Sequence, residues 1–165
     1  MLTEEYIIVV YCIVEDILKN ISEKPLRKRG PLPALTDAEV ITMEIAGESM
    51  GIDKDTGIHS YFMSHWKHFF PKLGCRTTYS RQAANLWKLK VKIQEEIAKS
   101  LLPDSRELSI IDGFPMPICN FRRAKGLKIF RDTASYGYCA AKDVHYYGFR
   151  GHLLIDKSGV ILGVT

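Results

Sequence analysis

The sequence predicts an α+β protein in which a helical N-terminal region precedes the first strands of a sheet. Two observations predict it. Through the first hundred residues, apolar side chains recur at helical spacing between proline- and glycine-rich breaks; from Leu108 onward β-rich runs, glycines and aromatics replace that periodicity. Pro103 marks the change, so the expected division is 1–103, a helical region with DNA-binding character, and 104–165, the start of a second domain.

The first helix is expected over 3–21, with Tyr6, Val9, Val10, Ile13 and Ile17 as its apolar stripe. Pro25, Gly30, Pro31 and Pro33 then prevent regular structure. Thr36 followed by Glu39 is a capping-box pattern that starts a second helix reaching about residue 50. A third is expected over 57–70, ended by Pro71. A fourth is expected over 80–102, with Leu86, Leu89, Ile93 and Ile97 as its stripe and Pro103 as its stop.

Beyond the break, Leu108, Ile110 and Ile111 read as a strand approaching a core, delivering Asp112 ahead of the breakers Gly113 and Pro115. Residues 144–155 read as a second strand, Asp156-Lys157-Ser158-Gly159 as a turn, and "VILGVT" as the beginning of a third. The chain stops inside that apolar pattern, which reads as the front part of a longer protein.

Composition narrows the class. Hydrophobic residues make up 46% and charged residues 25%, a globular balance; the net charge of +4 fits nucleic-acid contact without requiring it. No apolar run approaches the roughly 18 residues of a membrane span. The N-terminus carries Glu4 and Glu5 where a signal peptide has basic residues, so a cytoplasmic protein is expected. Cys12, Cys75, Cys119 and Cys139 lack metal-site spacing and are expected to be buried thiols.

Asp112 is the residue that asks for chemistry. A carboxylate at the end of an apolar strand is a turn cap, half of an ion pair or a metal ligand, and one carboxylate cannot hold a catalytic Mg²⁺ alone. Downstream lie Arg122, Arg123, Lys125, Lys128, Arg131, Lys142 and Arg150, interleaved with Phe121, Phe130, Tyr136, Tyr138, Tyr146, Tyr147 and Phe149. Cations among aromatics suit a surface that meets phosphates and unstacked bases; the plainer alternative is a solvated loop whose rings point inward. Two further basic groups, Arg27-Lys28-Arg29 and Lys88, Lys90 and Lys92, sit among short helices, a pattern compatible with helix-turn-helix-like DNA binding. His59, His65 and His68 have no acid or cysteine to complete a metal set and read as packing or surface residues.

The motifs "IIDGFPMPIC", "FRRAKG", "ASYGYCAAKDVHYYGFRGHLLID" and "GVILGVT" resemble insertion-sequence transposases of the DDE type, most specifically over 109–165. "LTDAEVITMEIAGESMGI" and "TYSRQAANLWKL" resemble the front region of one such group. The resemblance implies a ribonuclease-H-like mixed sheet, entered here through its first strands. It implies three carboxylates holding two Mg²⁺ (or Mn²⁺) ions for DNA cleavage and strand transfer. Asp112 matches the first carboxylate, on the first strand, as catalytic residue and metal ligand, buried among apolar neighbours. The second Asp and the Glu are expected after Thr165, so the 165 residues alone are expected to be inactive. Arg122, Arg123, Lys142, Arg150 and His152 are the expected phosphate contacts, with Arg150 and His152 on one face of their strand and Phe149, Leu153 and Ile155 on the other. Partners would be transposon-end DNA and, through apolar surface on an unfinished sheet, a second copy; no membrane is expected. The alternative is a non-catalytic DNA-binding fragment or regulator.

Overall fold

The computed structural model describes residues 3–21, 32–102 and 108–165. The expected breakers Pro25, Gly30 and Pro31, the basic trio Arg27, Lys28 and Arg29, and Pro103 lie outside the described residues. The chain divides into two compact units, Met1–Glu96 and Ile97–Thr165.

In the first unit α1 (Glu4–Asn20) starts where Thr3 Oγ1 accepts the Tyr6 N–H at 3.2 Å. It packs on α2 (Asp37–Ser49) through Ile7 and Val14, not through the expected stripe: Tyr6, Val9 and Ile13 are exposed. Residues 6–11 are apolar throughout, so periodicity alone does not choose the buried face. α2 begins with the expected capping box: Glu39 N–H donates to Thr36 Oγ1 and Thr36 N–H to the Glu39 carboxylate. It is the central helix, burying Val40, Ile41, Met43 and Ala46. Its Glu44 is buried too, and desolvation pushes that carboxyl above its usual range although Lys90 Nζ sits 2.8 Å away and works the other way.

α3 (Asp55–His65) stops five residues before the expected end. Phe69 and Phe70 N–H groups both turn back to the Trp66 carbonyl, and this tight turn lets Phe70 meet Phe62 edge-on at 5.2 Å. The expected fourth helix is two helices, α4 (Arg76–Asn85) and α5 (Trp87–Leu101). Leu86 N–H bonds Ala83 O, and Lys90 N–H then resumes the helix from Leu86 O; the bend drives Leu86 into the core with Leu89 and Ile93. No helix among the described residues is long and apolar enough to cross a membrane.

Among the described residues the second unit carries four strands, β1 (Ser109–Cys119), β2 (Ser135–Cys139), β3 (Val144–Asp156) and β4 (Ile161–Val164). The strands give the α+β class, and every pairing is antiparallel: β1 runs along one side of β3, while β2 and β4 share the other side at opposite ends. Short 3₁₀ turns, Phe121–Gly126 and Ala140–Lys142, connect them.

β1 passes through the expected breakers Gly113 and Pro115 and also through Pro117. The register explains how. His152 and Thr165 exchange both backbone hydrogen bonds, so even-numbered β3 residues turn their peptide groups toward the β4 side and odd-numbered ones toward β1. Pro115 and Pro117 face the even-numbered Arg150 and Gly148, so each places its missing N–H on the outer edge, where no ladder bond is lost.

The cysteines are not core thiols: Cys12 and Cys75 are exposed, and Cys119 and Cys139 half-buried. The sheet itself buries little, with Ala124 and Tyr147 its enclosed hydrophobic residues among those described from 108 onward.

Two substitutions separate α2-centred packing from the open stripe of α1. Phe62→Ala, at a fully enclosed ring, should lower stability by about 3–5 kcal/mol in chemical denaturation. Ile13→Ala should lose about 1 kcal/mol or less, because its side chain keeps much of its solvent contact.

Candidate functional site

The parity of β3 decides which expected site residues meet. Asp112 pairs with Leu153, and Leu153 in turn with Val164, so all three share one face with Ile110, Phe114, Phe149 and Ile155. Gly151 on that face is overlain by Phe114 and Met116: a Cβ there would stand 2.7 Å from the Phe114 ring and 2.9 Å from Met116 Sδ.

Arg150 and His152 lie on the other face, opposite Pro115 and Gly113. They converge above Gly113, where a Cβ would stand 3.4 Å from Arg150 Nε and 3.6 Å from His152 Cδ2. The expected alternation of basic and apolar residues along this strand therefore holds. The basic pair nevertheless does not share a face with Asp112.

Asp112 is exposed, not buried among apolar neighbours. Ile110 and Phe114 beside it are exposed as well. One carboxylate oxygen accepts the Gly113 N–H at 2.7 Å. That N–H belongs to an odd-numbered residue of β1, so the carboxylate is turned along the free outer edge of the strand. The fit of a metal ion can be tested on these groups. Among the described residues no group of three or more His, Cys, Asp or Glu side chains could hold one, so Asp112 stands without the further oxygen ligands a divalent ion needs.

Arg122 and Arg123 sit exposed on the first 3₁₀ turn, which Asn120 caps by accepting the Arg122 N–H at 3.2 Å. Lys142 is exposed on the second turn. It borders a cleft of about 540 Å³ lined by Pro115, Pro117, Phe121, His145 and Tyr146 among others. The cleft exists because β1 bulges at Pro117–Cys119 and turns away at Asn120, leaving the β1 side of residues 144–146 without a partner strand.

Beside the cleft is a ring cluster. Phe121 meets Tyr136 at 5.7 Å and His145 at 5.8 Å, and Tyr138 meets His145 at 4.8 Å. Tyr136 rests on the buried Tyr147 at 4.9 Å. Sequence reasoning noted these aromatics without joining them and missed His145. The signal was available in the period-two spacing of Tyr136, Tyr138, His145 and Tyr147, which one register places on a single face.

The buried carboxylate of the sheet is Asp156, a turn residue as its spacing implies. It accepts from Ser158 N–H, Ser158 Oγ and Val160 N–H at 2.7–2.9 Å, and the Ser158 hydroxyl above all holds its pKa below the usual carboxylate range. The histidines of the helical unit are packing or surface residues, as expected, with His65 and His68 exposed. His59 is buried and bonds Gly74 O at 2.9 Å, and His65 stacks on Tyr61 at 4.7 Å.

Comparison with known proteins finds no matching family model, no matching curated protein and no matching solved structure.

A depressed folded-state pKa stabilises the fold above the unfolded value near 4, and that contribution is lost as pH falls through the folded value. Melting temperatures at pH 7 and pH 3 should therefore differ less in Asp156→Ala than in the parent protein, with the variant also less stable at pH 7. An unchanged gap would remove Asp156 from the acid response.

Proposed function

We propose that this chain is the front portion of a DDE-type transposase, with Asp112 as the first carboxylate of a two-metal site for DNA cleavage and strand transfer. The observation that supports this reading most is the setting of Asp112. It stands on the first strand of the sheet with its carboxylate along a free edge, followed in sequence by the antiparallel strands β3 and β4. A ribonuclease-H-like sheet is the finer fold this reading adds to the α+β class, and its parallel pairings would have to form on the free side of β1.

The residues present contribute one ligand, and Mg²⁺ or Mn²⁺ needs several oxygen ligands. The remaining acids come, on this reading, from polypeptide beyond Thr165. When bound, such ions would activate the attacking oxygen and stabilise the leaving one at a phosphodiester. The part left to the described residues is electrostatic. Asp112 brings negative charge to the edge of β1, while Arg150 and His152 offer phosphate contacts on the opposite face.

DNA ends are the proposed partner, a cytoplasmic location goes with that partner, and the open apolar residues on both sides of β1 suit a second copy. A second reading, a non-catalytic DNA-binding regulator, is favoured by the basic and aromatic surface around 119–150. That surface lies apart from Asp112 and needs no acid to work.

Two experiments distinguish these readings. In the full in-frame polypeptide, Asp112→Ala should reduce Mg²⁺-dependent cleavage of end-containing DNA by at least about a hundredfold while leaving DNA binding intact. If neither parent nor variant cleaves and both bind equally, the regulator reading stands. Arg150→Ala should weaken DNA binding and flatten its dependence on salt by about one unit of logarithmic slope; an unchanged slope would rule out a phosphate contact there.

A further inference from the structure

We infer that the ring-lined cleft at the β2 end of the sheet, together with the rings beside it, takes up unpaired bases of single-stranded DNA. The inference deepens the DNA-binding part of the proposed function, from which it takes its partner. It does not depend on catalysis at Asp112.

Three observations meet at this place. Phe121, Tyr136, Tyr138 and His145 are all exposed although each touches another ring of the group, so flat π surface is held toward solvent by its own neighbours. A core in the making would turn these rings inward; here Tyr147 alone of the cluster is enclosed. Every base has a π face, so stacking on such rings is strong yet tolerant of sequence.

The cleft of about 540 Å³ lies within the range of small-ligand sites. Its lining joins the two faces at the open edge of β3: Pro115, Pro117 and Tyr146 belong to the face of Arg150, while Phe121 and His145 belong to the ring cluster. Lys142 stands on its lining as a cation for the phosphate that accompanies a base.

Charge selects the occupant. Between Cys119 and Arg150 seven Lys and Arg residues face two Asp, and one of those, Asp143, is engaged by the Tyr138 hydroxyl at 2.6 Å. A second copy of this cationic segment would be repelled, whereas a polyanion is attracted. A duplex keeps its bases stacked and offers phosphates alone, so rings in this arrangement favour a single strand. Asp112 shares the face of Tyr136 and Tyr147 on the β3 register, six residues further along, or about 20 Å at roughly 3.3 Å per residue.

The test is fluorescence anisotropy of the 165-residue protein with a labelled 20-nucleotide oligo(dT) and with a duplex of equal length. Phe121→Leu and Tyr136→Leu keep apolar bulk but remove the flat ring, with circular dichroism verifying the fold of each. The inference expects preferential binding of the single strand, and a loss on the order of 5- to 150-fold in either variant. Duplex binding should change less than about twofold. Lys142→Ala should reduce the salt slope of single-strand binding without abolishing it.

Equal affinity for both DNAs, unaffected by either variant, would overturn base stacking while leaving the DNA-binding reading in place. Absence of binding to both would overturn both. Should the variants alter self-association and not DNA affinity, the rings form a contact between copies and the inference falls.

Discussion

β3 is the strand on which the C-terminal unit depends. All three sheet pairings among the described residues include it, and its thirteen residues carry β1 along one side and β2 and β4 at the two ends of the other. Its alternation therefore assigns every side chain of the sheet to a face. Phe149, Gly151, Leu153 and Ile155 go with Asp112 and the ring cluster; Arg150 and His152 go with Gly113 and the prolines. A slip of one residue in the β1–β3 register would reverse these assignments, moving Asp112 to the basic face.

The two units meet the requirement for a core differently. Around α2 the helical unit encloses large side chains completely, with Phe62, Met43, Tyr79 and Leu73 at 2% exposure or less. The sheet encloses few. Its order rests on backbone pairing, on ring contacts at the β2 end and on the hydrogen-bonded Asp156 turn at the other. Open apolar residues on both sides of β1, Ile110 and Ile111 among them, are surface that a covering layer would stabilise at roughly 25 cal/mol per Å² removed from water. The same openness keeps Asp112 accessible.

Much of this was legible in residue order, and the failures have local causes. The Thr36–Glu39 cap, the strand from Val144 and the turn at Asp156 are written in short-range chemistry, and each forms as its residues dictate. The buried face of α1 was not legible, because an all-apolar stretch from Tyr6 to Tyr11 gives periodicity nothing to select. Gly113 and Pro115 suggested an end to β1, because a proline forbids a ladder bond only if its nitrogen faces the partner, and that depends on pairing with residues some thirty positions away. The same dependence hid the separation of Asp112 from Arg150 and His152. The cysteines read as core thiols because intracellular cysteine is usually buried, whereas these four occupy an outward helix face, a helix cap and strand ends.

The proposed catalytic role turns on Asp112: an acid on an open strand edge would serve phosphodiester chemistry only in company with further acids. Reading the in-frame DNA sequence beyond codon 165 tests this most directly. An Asp shortly after β4 and a Glu well downstream are the predicted result, making Asp112 the first of three metal-binding acids. A stop codon directly after Thr165 would contradict the proposed catalytic role and leave the non-catalytic DNA-binding proposal as the one to test.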